Sequence, residues 1–102
     1  MSAGAAVVLV TIERAVLVEA ATEMEKAAQM VTLLNGGSDT CFAGVLRETG
    51  DDLARTACGI TEPYGRSDEL DELRESIRAE AGRRVEEWFA PSRRQEAPPA
   101  AA

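Results

Sequence analysis

The sequence predicts an all-α protein, a small three-helix bundle with a long N-terminal helix. Apolar residues recur every three or four positions, which is the spacing of one helix face. The breaks in this pattern fall at glycine and proline. The chain has 102 residues, enough for one domain, and only four of them are aromatic. A core of Ala, Val, Leu and Met favours closely packed helices over a sheet sandwich.

The first predicted helix has the clearest pattern. Its apolar stripe consists of Leu9, Ile12, Val16, Ala20, Met24, Ala27, Val31 and Leu34. The Asn-Gly-Gly run at 35–37 predicts its end, because both residue types accept the left-handed cap conformation. Residues 6–12 are rich in β-branched side chains, so a strand is the alternative there. Such a strand would need a second chain to pair with.

A second helix is predicted near residues 40–59, after a run of potential N-cap residues at 38–40. Its apolar positions are Phe42, Val45, Leu46, Leu53, Ala57 and Ile60. Gly50 leaves open whether this segment is one helix or two short ones. In one straight helix Cys41 and Cys58 lie about 25 Å apart, too far for a disulfide. We therefore interpret both cysteines as reduced, buried thiols.

The third helix is predicted near residues 68–90, where Ser67 or Asp68 provides the N-cap. Pro91 is expected to end it, because an internal proline removes a backbone hydrogen bond. This gives a flexible N-terminus at 1–4, a helical domain at 5–90 and a disordered Pro/Ala-rich tail at 91–102.

Composition excludes several classes of function. The chain has no histidine, which removes the commonest general base and the commonest metal ligand. We therefore expect no enzymatic activity, no metal and no cofactor. The net charge of −7, from 18 acidic and 11 basic residues, argues against a nucleic-acid partner. No apolar stretch reaches the roughly 20 residues of a membrane span. With reduced thiols and no convincing targeting segment, a cytoplasmic location is expected.

The remaining expectation is a small acidic protein-interaction module, an adaptor or a regulator, that binds a partner protein through an apolar helix face. A first helix of 26 residues spans about 39 Å, more than a compact domain of this size covers. A second copy of the chain, forming a homodimer, is the simplest candidate to bury the ends of this helix. The adjacent aromatic residues Trp88 and Phe89 point about 100° apart on a helix, so either one of them is exposed or both wrap the end of a small core. The expected contact residues are Leu9, Ile12, Val16, Met24, Trp88 and Phe89.

Two resemblances give alternative functions. Two helices joined by a Gly-containing turn, followed by Tyr64-Gly65-Arg66-Ser67-Asp68, resemble the helical-hairpin substrates of type VII secretion. That family carries a Tyr-x-x-x-Asp/Glu signal after its second helix, and Asn35-Gly36-Gly37 stands where the family has Trp-x-Gly. The resemblance implies an exported protein. The acidic charge and the Pro/Ala-rich tail are similar to those of antitoxins and phage-encoded neutralising proteins, which implies a basic partner protein.

Overall fold

The computed structural model describes the backbone of residues 3–96 and the side chains of residues 13–90. Three α-helices pack against one another: α1 (Ala3–Leu34), α2 (Cys41–Ala57) and α3 (Asp68–Glu96). The described residues contain no strand, and residues 6–12 are helical. The prediction of an all-α three-helix bundle is confirmed.

The helices alternate in direction along the bundle. α1 and α2 form an antiparallel hairpin, in which Gly50 of α2 faces Ala21 and Met24 of α1. α3 then runs parallel to α1. Its first turn lies beside Arg14, because Glu69 forms an ion pair with that residue at 3.3 Å. Further along, α1 contacts α3 near Gln29, whose side chain donates a hydrogen bond to the carbonyl of Arg78 at 3.4 Å.

The core is built mainly from small side chains. Its buried apolar residues are Ala21, Ala28, Ala43, Ala54, Leu70, Ile77, Ala81 and Val85. Alanine adds little bulk, so helix backbones that meet through alanine and glycine approach closely. At Gly50 an added Cβ would lie 3.4 Å from the carbonyl oxygen of Ala21 and 3.4 Å from the Cβ of Met24. Glycine at this position therefore allows the close crossing of α1 and α2.

Side-chain caps fix where α2 and α3 begin. The Thr40 hydroxyl accepts a hydrogen bond from the Ala43 N–H at 3.0 Å. The Ser67 hydroxyl accepts one from the Leu70 N–H at 3.1 Å. Both satisfy backbone donors that have no partner within the helix. Gly50 does not interrupt α2, which is one continuous helix.

The two cysteines are free thiols near opposite ends of α2. The expectation that both are buried is wrong for Cys41, which is exposed because the first turn of α2 directs it away from α1. Cys58 is half-buried, and this burial raises the pKa of its thiol.

The helix ends differ from the sequence prediction. α3 continues through Pro91 to Glu96, so the expected end at Pro91 is wrong. The fixed φ of proline fits a helix, although Pro91 leaves the carbonyl of Glu87 without its helical donor and the proline ring crowds that carbonyl. Only residues 92–96 of α3 follow it. α1 begins at Ala3, inside the segment expected to be flexible. The expected disorder of residues 97–102 lies outside the described residues.

The long helices give the bundle an elongated shape. Its radius of gyration is 17.6 Å and its extents are 64 × 33 × 20 Å. A compact chain of this length would have a radius of gyration of about 13 Å. No described helix has an apolar stretch that would let it traverse a lipid bilayer.

The close crossing at Gly50 can be tested by overpacking it. Gly50→Gln should lower the free energy of unfolding by about 1–3 kcal/mol, because the new side chain must enter the space facing Ala21 and Met24. Gly44→Gln is the matched control, since Gly44 also lies within α2 but has no neighbouring atom within 4 Å of its Cβ position. The control should be as stable as the wild type or more stable. Urea unfolding of the three proteins measures this, and equal losses at both positions would contradict the packing argument.

Candidate functional site

The contact residues expected on α1 differ in their exposure and surroundings. Val16 is 62% exposed and lies in an open, apolar recess with Ala15 and Ala20. Met24 is half-buried and faces α2 at Gly50, so it is part of the packing between the helices. The side chains of Leu9 and Ile12 lie outside the described residues, and the expectation for them stays a prediction.

The adjacent aromatic residues of α3 differ in exposure. Trp88 is 57% exposed, whereas Phe89 is half-buried. Their rings meet edge to face, with centroids 4.8 Å apart and an interplanar angle of 83°. This is a favoured geometry for aromatic pairs. Phe89 therefore supports a Trp88 ring that has more than half of its surface in solvent.

Four large apolar side chains are exposed on the helix turns that flank the connection between α1 and α2. We call them the hairpin end: Leu33, Leu34, Phe42 and Val45. Each is more than half exposed, and Leu34 is 75% exposed. They occupy the last turn of α1 and the first turns of α2.

Phe42 and Val45 are exposed, so the prediction that they belong to the apolar stripe of α2 is wrong. The residues that face α1 are small instead, namely Ala43, Gly50 and Ala54. These three positions have helical spacing too, but the two larger side chains give a stronger hydrophobic signal. The sequence feature that could have predicted the buried face is the presence of Ala and Gly at these three positions, which is typical of closely packed helices.

Charge is distributed unevenly along the chain. Between residues 27 and 46 the only charged side chain is Asp39. It accepts hydrogen bonds from Arg47 at 2.8 Å and from the Thr32 hydroxyl at 3.2 Å. Residues 61–75 contain six acidic and two basic residues, a net charge of −4. They lie where α2 ends and α3 begins, at the opposite end of the bundle from the α1–α2 turn.

An ion-pair cluster around Arg84 joins α3 to α1. The guanidinium binds both carboxylate oxygens of Glu19, at 2.7 and 2.9 Å, and one oxygen of Glu23 at 2.7 Å. Its Nε donates to Glu80 on the same helix at 3.1 Å. Such bidentate pairs hold both partners in a defined geometry. The cluster therefore fixes the rotation of α3 relative to α1.

The same contacts shift the pKa values of the carboxyls. Hydrogen bonds from Arg83, and then from Arg84, lower the pKa of Glu80 to about 2. The hydrogen bond from Arg84 also lowers the pKa of Glu19. The hydrogen bonds that Arg84 donates, above all to Glu19, raise the pKa of its guanidinium. Glu19, Glu80, Arg83 and Arg84 are therefore all ionised at neutral pH. The cluster acts as an ion-pair contact between α1 and α3.

Tyr64 stands out in the connection between α2 and α3. It is 72% exposed and has a φ of 58°, a left-handed conformation that is uncommon for a bulky residue. The Arg55 guanidinium lies 5.5 Å from the centre of its ring. Arg55 also donates to the Gly65 carbonyl at 3.2 Å and to Asp52 at 2.8 Å. These contacts hold the connection in place while the tyrosine remains accessible.

A small cavity lies between the three helices, with a volume of about 70 Å³. Two ion pairs line it: Arg74 binds Asp51 at 3.2 Å, and Arg47 approaches Glu25 at 3.7 Å. Pockets for small-molecule ligands usually measure about 300–1,000 Å³, so this cavity is too small for one. Among the described residues there is no cluster of three or more side chains suited to holding a metal ion.

The chain matches no protein-family model, and comparison with curated proteins and solved structures finds no similar sequence or fold. The function must therefore be inferred from the surfaces described above.

The Arg84 cluster predicts a specific pH dependence of stability. Glu19 and Glu80 bind protons less readily in the folded chain, so their contribution is present above pH 4.5 and is lost as the pH falls toward about 2. Arg84→Met should therefore flatten the loss of stability within this pH range. Arg78→Met is the control, because Arg78 lies on the same helix and forms no ion pair with the described side chains. Urea unfolding between pH 2 and pH 7 measures the effect. A wild-type slope in Arg84→Met would contradict the role given to the cluster.

Proposed function

We propose that this chain is a small protein-interaction module, an adaptor or a regulator, whose binding surface is the hairpin end. One observation supports this proposal most directly. Four large apolar side chains are more than half exposed at one end of a bundle whose buried core consists mainly of alanine, with Leu70, Ile77 and Val85. Contiguous exposed apolar surface marks interaction sites in soluble proteins.

The energetics of the surface favour binding. Each Å² of apolar surface removed from water contributes about 25 cal/mol. Leu34 and Phe42 have the most to gain, because they are the most exposed members of the hairpin end. Both lie on regular helix turns that flank a short connection, so little backbone ordering is needed when a partner binds. A preformed apolar surface with one aromatic side chain is typical of the centre of an interface.

The charge pattern supports the same role. The hairpin end is almost free of charge, and a partner can cover it without burying unpaired carboxylates. Its one acidic neighbour, Asp39, already has Arg47 as a partner at 2.8 Å. Val16 lies earlier on α1, outside the hairpin end, and in this proposal it serves as the comparison position.

Affinity enrichment from a native extract tests the proposal. A protein retained by the wild type should be lost at least tenfold with Leu34→Glu, because a buried charge would stand opposite the partner's apolar surface. Val16→Glu should retain it, since the same charge is then placed outside the hairpin end. Quantitative mass spectrometry measures the retained proteins. If no protein distinguishes Leu34→Glu from Val16→Glu, the hairpin end is not the binding surface.

A second candidate function is export as a helical-hairpin substrate of type VII secretion. Two observations favour it: α1 and α2 form an antiparallel hairpin, and Tyr64 is exposed in the connection that follows α2. The tyrosine would be accessible to a secretion apparatus without unfolding the bundle.

Export gives a separate test. In the native host, Tyr64→Ala should abolish appearance of the protein in the culture filtrate while the cellular level is maintained. Tyr64→Phe is the control for loss of the hydroxyl alone, and Thr61→Ala, in the same connection, should be exported normally. Immunoblotting of both fractions measures this. Wild-type protein confined to the cells would end the secretion hypothesis.

A further inference from the structure

We infer that the partner covering the hairpin end is a second copy of this chain, so that two bundles meet through the same surface. This inference rests on the proposed function and names the partner. It is drawn from the distribution of charge along the molecule together with the position of the exposed apolar side chains.

The net charge of −7 is concentrated away from the hairpin end. Residues 61–75 carry six acidic and two basic side chains, which gives −4 of the total. Residues 27–46, which include the whole hairpin end, carry only Asp39. The antiparallel arrangement of α1 and α2 places these two segments at opposite ends of the bundle.

This uneven distribution of charge indicates which kind of partner binds at the hairpin end. A basic partner would be attracted to residues 61–75, whereas the hairpin end offers it no charge to recognise. Two copies of the acidic chain repel each other in most orientations. The repulsion is smallest when they meet through the segment that lacks charge. The bundle extends 64 Å along its longest axis, and the Debye length is about 8 Å at physiological ionic strength. The acidic ends of two copies joined at the hairpin end are therefore screened from each other.

The chemistry of the surface is compatible with self-association. A two-fold interface places the same residues on both sides, which requires a surface that is complementary to itself. Leucine, valine and phenylalanine pack against one another without a need for opposite charges. The four side chains form a smaller surface than the roughly 800 Å² per partner of a standard interface. We therefore expect a reversible dimer that forms in the micromolar range.

Sedimentation velocity across a concentration series tests the inference. The wild type should change from monomer to dimer as its concentration rises. Phe42→Glu should remain monomeric, because two carboxylates would then meet across the interface. Val16→Glu is closely matched, since Val16 and Phe42 are both 62% exposed and the added charge is the same. This control should dimerise like the wild type.

Thermal melts by circular dichroism ensure that the variants are folded. A glutamate in the first turn of α2 is favourable to the helix dipole, so Phe42→Glu should fold. Val45→Glu is a second variant of the same surface and should also be monomeric.

Three outcomes would overturn the inference: a wild type that stays monomeric at millimolar concentration, folded Phe42→Glu and Val45→Glu proteins that both dimerise, or a Val16→Glu protein that is monomeric. If the wild type is monomeric but Leu34→Glu still loses a protein captured from the extract, the interaction module stands and only the second copy is excluded. If neither experiment depends on the hairpin end, both proposals fail.

Discussion

The close contact between α1 and α2 is the constraint on which the rest of the structure depends. Gly50 and the alanines around it leave little space between the two helices. Large side chains on α2 have no room there, and Phe42 and Val45 are directed into solvent instead. The packing of the hairpin and the exposure of its end therefore have the same physical origin.

The third helix is held by a different kind of interaction. Apolar contacts from Leu70 and Ile77 bring α3 to the core. The bidentate contact between Arg84 and Glu19 then sets its rotation. Ion pairs of exposed residues add little stability on their own, but their geometry selects one orientation among several that the small core would tolerate. That orientation leaves Trp88 exposed beside a half-buried Phe89.

Much of the fold follows from the sequence, because helix periodicity and capping are local properties. The helix predicted from Leu9 to Leu34 and the caps at Thr40 and Ser67 all correspond to features of the structure. The predicted apolar stripe of α1 is not its buried face, because Ala21 and Ala28 are buried whereas Val16 and Leu34 are exposed. The continuation of α3 through Pro91 does not follow from the sequence either, since the sequence rule treats an internal proline as the end of a helix, whereas residues 91–96 continue α3 in the structure.

The candidate site was only partly predictable. Val16 and Trp88, two of the predicted contact residues, are exposed, but none of the four residues of the hairpin end was predicted as a contact. Hydrophobic periodicity predicts that Phe42 is more buried than Ala43. In the structure Ala43 is the buried residue, because the spacing between α1 and α2 depends on both helices together. A pattern within one helix does not contain that information.

The six-residue connection at 35–40 also bears on how quickly the chain reaches its native state. It joins the two helices that share the most extensive contact, so these contacts form between segments that are neighbours along the chain. Domains dominated by such local contacts fold in microseconds to milliseconds, because little loop entropy is lost before packing begins. Alanine also loses almost no rotamer freedom on burial. A nascent α1–α2 pair could thus assemble before the residues of α3 have left the ribosome.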